Sequence, residues 1–78
     1  MPKKLSNWVF RDVVGFLKAH GFGLHRVRGS EHFYKGVYGG EQRLVSVPFH
    51  GSKPIKPGTI KSIIVQSGIP ETEWRADK

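Results

Sequence analysis

The sequence predicts an α+β fold, with two helices packed on one face of a three-stranded antiparallel sheet. Two helical stripes of apolar residues enclose three strand-like segments, and the second and third of these have alternating faces. A Gly39-Gly40 pair between the second and third of these segments is typical of a hairpin turn. The length of 78 residues predicts one small domain, residues 1–78, with a modest core.

The first helix is predicted over Trp8–His20. Ser6 or Asn7 is a suitable N-cap, and Gly21 is placed for a left-handed residue just after the last turn. The apolar stripe has helical spacing i, i+3, i+4 and i+7 and consists of Phe10, Val13, Val14 and Leu17.

The three strands are predicted at Phe22–Arg28, His32–Tyr38 and Arg43–Phe49. Strand alternation divides the side chains between two faces, and the more apolar set is expected to meet the helices: Phe33, Val37, Val45 and Val47. His32 and Tyr34 then lie on the opposite face, open to solvent. A shift of one residue would exchange the two faces.

Residues 50–58 are predicted to form a loop that leads into the second helix. Pro57 suits the first turn of that helix, Gly68 ends it, and its apolar face consists of Ile60, Ile63 and Ile64. Pro70–Trp74 is predicted as a short third helical turn, with its acidic residues at the positive end of the macrodipole. Trp8 and Trp74 are expected to pack between helices, and the alternative for Trp74, near the terminus, is contact with a partner.

The charge distribution favours a polyanionic partner. Thirteen Lys and Arg residues face six Asp and Glu residues, and the net charge is +7. Such a surface attracts nucleic acid through its long-range field and through counterion release. We favour nucleic acid over a merely soluble basic surface, because the basic residues flank aromatic strand residues. An anionic membrane is less favoured, because no basic amphipathic helix is evident.

Other features restrict the class of protein. The chain has no cysteine and no apolar run of the roughly 18 residues that a bilayer crossing needs. The start, Met1-Pro2-Lys3-Lys4, lacks the apolar core of a signal peptide, so a cytoplasmic location is expected. We expect no metal and no cofactor, because the four histidines lack the spacing and the acidic or thiolate neighbours of a metal site: His20, His25, His32 and His50.

The segment Arg28–Lys35 carries the most informative chemistry. A small turn pair, Gly29-Ser30, leads into a strand that begins with Glu31-His32. Histidine both accepts and donates a proton near neutral pH, and cleavage of RNA by its own 2′-hydroxyl needs a base, an acid and cations around the phosphorus. His32 is therefore the candidate catalytic residue. Taken without its context, it would be an ordinary surface histidine.

Several residues near His32 are candidates for contact with RNA or its phosphates: Arg26, Arg28, Gly29, Ser30, Tyr34, Lys35 and His50. The Gly29-Ser30 turn either cradles a phosphate or is only a turn. Tyr34 either stacks on a base or fills the strand. His50 is either a second proton-transfer group, a phosphate ligand or an uninvolved loop residue. Further cations surround the start of the second helix: Lys53, Lys56 and Lys61.

Four motifs in order resemble the HicA family of toxin ribonucleases, over roughly Phe10–Trp74. The motifs are a first helix that ends in Gly21-Phe22, the Gly29-Ser30 pair with His32 two positions later, the strand end Val47–His50, and the segment Lys56–Ile64 leading to Gly68-Ile69. The resemblance implies a double-stranded-RNA-binding-domain-like fold and a metal-independent endoribonuclease that cleaves messenger RNA. It also implies that His32 is the essential histidine and that an antitoxin of the HicB family covers that region.

Glu31 departs from the family pattern, in which a histidine or another neutral or basic residue is common. Its carboxylate would either repel phosphate or orient His32. Two other functions therefore stay open beside an RNA-cleaving toxin that acts on single-stranded message. One is a non-catalytic RNA-binding module, and the other is a protein whose basic face only receives an acidic partner.

Overall fold

The computed structural model describes residues 7–77 and has the predicted α+β architecture. Its elements, in chain order, are α1 (Phe10–Ala19), β1 (Gly23–Arg28), β2 (Glu31–Tyr38), β3 (Glu41–Pro48), α2 (Pro57–Ser67) and α3 (Glu71–Asp77). The strands form an open antiparallel sheet in the order β1-β2-β3, and helices flank it. None of the helices in this described part has the length and hydropathy that a bilayer crossing needs.

Helix α1 begins later than predicted, and a carboxylate supports its start. Val9 is the N-cap residue, and its backbone N–H donates to the Asp12 carboxylate at 3.0 Å. Of the two predicted caps, Ser6 lies outside the described residues and Asn7 precedes the observed cap. An acidic residue in the first turn also interacts favourably with the helix dipole.

The end of α1 is as predicted. Gly21 adopts a left-handed conformation with φ of 88°, which glycine tolerates best. Its N–H donates to the Lys18 carbonyl at 3.1 Å, and the Phe22 N–H donates to the Leu17 carbonyl at 2.9 Å. This is a Schellman motif, and it directs the chain towards the first strand.

Two tight turns connect the strands. Gly29 has φ of 61° in the turn between Arg28 and Glu31, which pair across the first hairpin. Gly39 and Gly40 both have positive φ, 66° and 80°, as a type I′ hairpin turn requires. The predicted Gly39-Gly40 turn is confirmed.

The predicted faces of β2 are wrong. His32 pairs with Val47 and Tyr34 pairs with Val45, and directly opposite residues share a face of the sheet. Val45 and Val47 are fully buried and Tyr34 is only 4% exposed, whereas Val37 is 59% exposed. His32 and Tyr34 therefore lie on the helix-covered face, and Phe33 and Val37 lie on the open face.

The reason is that β2 carries apolar side chains on both faces. On the helix-covered face, Gly36 leaves a gap that the ring of Phe22 fills. On the open face, the guanidinium of Arg26 lies 5.2 Å from the centre of the Phe33 ring. On the helix-covered face, the apolar surface over Gly36 comes from Phe22, which lies outside β2. The apolar content of β2 alone therefore predicted the wrong buried face.

Helix α2 covers the sheet beside β3. Pro57 occupies the first turn and Gly68, with φ of 74°, ends the helix, as predicted. The side chain of Gln66 accepts the N–H of Ser46 at 3.0 Å, which satisfies a backbone donor of β3. The buried apolar side chains form one cluster between sheet and helices.

Helix α3 packs its tryptophan against α1. The rings of Phe16 and Trp74 are stacked with centroids 3.9 Å apart, and Trp8 meets Trp74 edge-on at 5.5 Å. Both tryptophans are fully buried, which confirms their predicted packing role.

Candidate active site

His32 lies at the end of the sheet where β2 begins, and two phenylalanine rings hold it. Its ring centroid is 4.9 Å from that of Phe10, at the start of α1, and 5.6 Å from that of Phe49, just after β3. Phe10 and Phe49 also meet each other edge-on at 5.0 Å. We call these three residues the aromatic cluster. His32 is half-buried within it.

The two ring nitrogens of His32 have different surroundings. Nδ1 is buried and has no hydrogen-bond partner among residues 7–77. A buried polar atom without a partner costs stability, and such atoms in native proteins call for an explanation. Nε2 is not among the buried side-chain atoms that lack a partner.

Backbone hydrogen bonding fixes the two strand ends of the cluster. The Phe49 N–H donates to the Ser30 carbonyl at 2.7 Å, one residue beyond the paired Glu31 and Pro48. The Gly29-Ser30 turn is therefore joined to the residue that packs on His32. Whether this turn also holds a phosphate remains a prediction, and the side chain of Ser30 is exposed.

The arginines expected beside His32 lie on the other face of the sheet. Arg26 pairs with Phe33 and Arg28 pairs with Glu31, while Val27 is the residue opposite His32. Lys35 follows Phe33 by two positions and shares its face. The expectation that Arg26 and Arg28 share the surface of His32 is wrong, because the register of β1 and β2 sets them opposite Phe33 and Glu31, whose side chains lie on the other face.

Glu31 also points away from His32. Its carboxylate accepts a hydrogen bond from the Ser46 hydroxyl at 3.0 Å, on the open face of the sheet. Strand alternation directs the two neighbouring side chains to opposite faces, so Glu31 does not orient the imidazole directly.

A pocket with basic walls lies between the end of β3 and the start of α2. Its volume is about 410 Å³, and its lining residues are Pro48, His50, Lys53, Pro54, Ile55, Lys56 and Thr59. We call it the basic pocket. Two of its lining residues, Pro48 and His50, flank Phe49 along the chain. The Ile55 N–H donates to the Trp8 carbonyl at 2.7 Å, which ties this wall to the segment before α1.

Tyr34 belongs to the core and not to an open surface. It is 4% exposed, and burial raises the pKa of Tyr34 above its ordinary value. The sequence-based placement of its ring in solvent is therefore corrected.

The sequence singles out His32 and His50 as candidates, but it does not single out Phe10 and Phe49, whose rings contact His32. Phe10 was one member of a helical stripe, and Phe49 shared the parity of the core residues Val45 and Val47. The spacing along the chain gave no sign that these distant residues meet at one histidine. Within residues 7–77, no group of three or more His, Cys, Asp or Glu side chains is arranged to hold a metal ion.

Comparison with known families assigns the chain. A family model described as the HicA toxin of bacterial toxin-antitoxin systems matches residues 10–69. The chain belongs to the HicA toxin family. The match includes all three residues of the aromatic cluster and the whole basic pocket. A comparison with curated proteins gives no match.

Membership in the HicA family makes this chain a toxin of a toxin–antitoxin system. It also implies a cognate antitoxin as partner.

Proposed function

We propose that this HicA-family toxin is a metal-independent endoribonuclease that cleaves messenger RNA, with His32 as its catalytic acid and base. The observation that carries the proposal is the position of His32. Its half-buried ring is held by Phe10 and Phe49, and the chain neighbours of Phe49 line a pocket that contains one histidine and two lysines. A proton-transfer group and cations are the groups that cleavage at a phosphodiester requires, which supports the proposal.

The reaction starts when Nε2 of neutral His32 accepts the proton of a ribose 2′-hydroxyl. The 2′-oxygen attacks the adjacent phosphorus, and the bond from phosphorus to the 5′-oxygen breaks. The leaving 5′-oxygen takes a proton from the imidazolium that has formed at His32, or from His50 at the pocket. The products are a 2′,3′-cyclic phosphate and a free 5′-hydroxyl, and no water or metal enters this step.

The cations have two separate roles in this proposal. Lys53, Lys56 and His50 neutralise the phosphorane and its neighbours, because they line the basic pocket. Arg26, Arg28 and Lys35 bind flanking RNA on the open face. The Gly29-Ser30 turn contributes backbone N–H groups that donate hydrogen bonds to a phosphate at the start of β2. Tyr34 supports β2 from the core and lies too deep to stack on a base.

The decisive test replaces His32 by phenylalanine. His32→Phe keeps a ring between Phe10 and Phe49 and removes both nitrogens, so the fold is expected to persist. Cleavage of single-stranded RNA in the presence of a chelator should fall to background, and so should growth arrest on expression. Circular dichroism and thermal unfolding confirm the folded state.

The matched control is His25→Ala, because His25 is an exposed histidine on β1. This variant should cleave at the parental rate. A His32→Phe protein that remains folded and still cuts RNA at the parental rate would show that the catalytic assignment is wrong. Cleavage that disappears in chelator would contradict metal independence.

The positions of the arginines favour one alternative, a non-catalytic RNA-binding module. Arg26 over Phe33 combines a cation and an aromatic ring on the open face, away from His32. This alternative expects RNA binding with no cleaved product after long incubation, and equal binding by the His32→Phe variant.

We further propose that a HicB-like antitoxin neutralises the toxin by covering the aromatic cluster, in the cytoplasm. A basic protein with a net charge of +7 favours an acidic partner surface. Purified antitoxin should suppress cleavage and should compete with RNA for the toxin. An antitoxin that binds the toxin while RNA binding and cleavage continue unchanged would contradict this interface.

A further inference from the structure

We infer that Phe49 is a stacking platform for one unpaired nucleobase of the RNA, with a phosphate of the same strand held in the adjoining basic pocket. The inference rests on the proposed function and adds to it a subsite that fixes how the strand lies across His32. The ligand is a single-stranded nucleotide, recognised by its aromatic base and its negative charge.

The first observation is the exposure of Phe49. Phe49 is 48% exposed, although Val45 and Val47, at the alternate positions that precede it in β3, are fully buried. Every nucleobase has a π-face that can stack on an aromatic ring, so an exposed ring beside a proton-transfer group is a base-binding surface without a sequence requirement.

The second observation is that the ring is held in place. Phe10 meets it edge-on with an interplanar angle of 89°, and the ring of His32 meets it at 44°. The backbone of Phe49 is bonded to Ser30 at 2.7 Å. A surface that is fixed before binding loses less conformational freedom when the ligand arrives.

The third observation is the charge next to the ring. His50, Lys53 and Lys56 line the pocket of about 410 Å³ that begins at the chain neighbours of Phe49. A base on Phe49 therefore has cationic side chains within its own neighbourhood for its phosphate.

Stacking requires an unpaired base, so the subsite predicts a preference for single-stranded RNA. Removal of one stacking interaction typically weakens binding by roughly tenfold or more. Because the ring binds substrate and takes no part in proton transfer, the weakening should appear in KM and not in kcat.

The experiment compares Phe49→Leu, Phe49→Trp and wild-type protein on an unpaired RNA and on the same RNA held in a duplex. Phe49→Leu keeps an apolar side chain against Phe10 and removes the π-face. It should raise KM for the unpaired RNA roughly tenfold and leave kcat within about twofold. The preference for unpaired RNA over the duplex should decrease. Phe49→Trp should retain the parental KM.

Binding is measured separately with an uncleavable RNA whose 2′-hydroxyls are methylated. The new tryptophan of Phe49→Trp should show fluorescence quenching on binding, beyond that of the wild-type protein with its two buried tryptophans. Val65→Ala is the matched control, since it shortens a 78% exposed apolar side chain on α2 and should change neither KM nor binding.

A Lys53→Ala/Lys56→Ala double variant tests whether the basic pocket holds a phosphate of the RNA. Its control is Lys18→Ala, a change at the exposed C-terminal end of α1. The double variant should weaken binding of the uncleavable RNA and reduce its salt dependence, and the control should not. An unchanged KM in Phe49→Leu, or an effect confined to kcat, would overturn the stacking platform.

The two proposals fail in different ways. Quenching of Phe49→Trp by uncleavable RNA, with no cleavage by any variant, would support the platform and reject the nuclease. Cleavage that depends on His32, with no quenching and no change in KM, would reject the platform alone.

Discussion

The imidazole of His32 is held by rings and not by a hydrogen bond to Nδ1 within the described chain. A histidine that follows a Gly-Ser turn could be singled out from the sequence, because the turn and the strand are local features. Its surroundings could not, since Phe10 and Phe49 come from segments that are distant along the chain. Their contact depends on how α1 packs against the strand ends.

The buried Tyr34 makes the stability of the fold sensitive to alkaline pH. Burial raises the pKa of Tyr34, so the folded state holds this proton to higher pH than the unfolded chain, whose tyrosines titrate near pH 10. The stabilisation is complete below about pH 10 and is lost as pH rises from there through the raised pKa, by at most about 1.4 kcal/mol per pH unit.

Tyr34→Phe should therefore weaken the fall of unfolding free energy above pH 10. The measurement is urea unfolding between pH 8 and pH 11. Tyr38→Phe is the control, because it retains Tyr34 and should keep the parental slope. An identical alkaline slope in Tyr34→Phe would show that burial of this hydroxyl does not couple folding to pH.

The helices and strands could be predicted from local sequence signals, whereas the buried face of β2 could not. Gly21, Pro57 and Gly68 marked helix ends correctly because each acts through its own backbone. The face of β2 was set by its partners, since Phe22 supplies the apolar ring over Gly36 and Arg26 covers Phe33 on the other side. Strand parity without a known register therefore exchanged the two faces.

Replacement of Gly36 in β2 is predicted to destabilise the fold. A Cβ there would lie 2.6 to 2.9 Å from three ring carbons of Phe22, and this buried ring has little room to move. Gly36→Ala should cost about 1–3 kcal/mol of unfolding free energy, measured by urea denaturation.

Gly15→Ala is the matched control on α1. A Cβ at Gly15 meets nothing within 4 Å, and alanine favours the helix over glycine by about 0.5–1 kcal/mol. The urea concentration at the midpoint of unfolding should rise for Gly15→Ala and fall for Gly36→Ala. Equal stability of Gly36→Ala and the parental protein would mean that the Phe22 ring does not depend on this gap.

Across the whole molecule, positive charge is present on two surfaces that serve different purposes in the proposed reaction. The basic pocket is lined in part by the chain neighbours of Phe49, whereas Arg26, Arg28 and Lys35 lie on the open face of the sheet. Composition predicted the attraction to a polyanion, because net charge acts at long range. Composition carries no information on which cations lie near the histidine.

Replacing the three open-face cations tests this division. Arg26→Ser, Arg28→Ser and Lys35→Ser in one protein should raise KM and leave kcat unchanged, because none of the three shares the face of His32. The slope of log binding constant against log salt should decrease by about 0.7 for each phosphate of single-stranded RNA that the variant no longer neutralises. Binding is measured on the uncleavable RNA at several salt concentrations, with cleavage assayed in parallel. A fall in kcat with an unchanged salt slope would mean that these side chains act at the reacting phosphate, and it would place the RNA across the edge of β1 instead of along two separate surfaces.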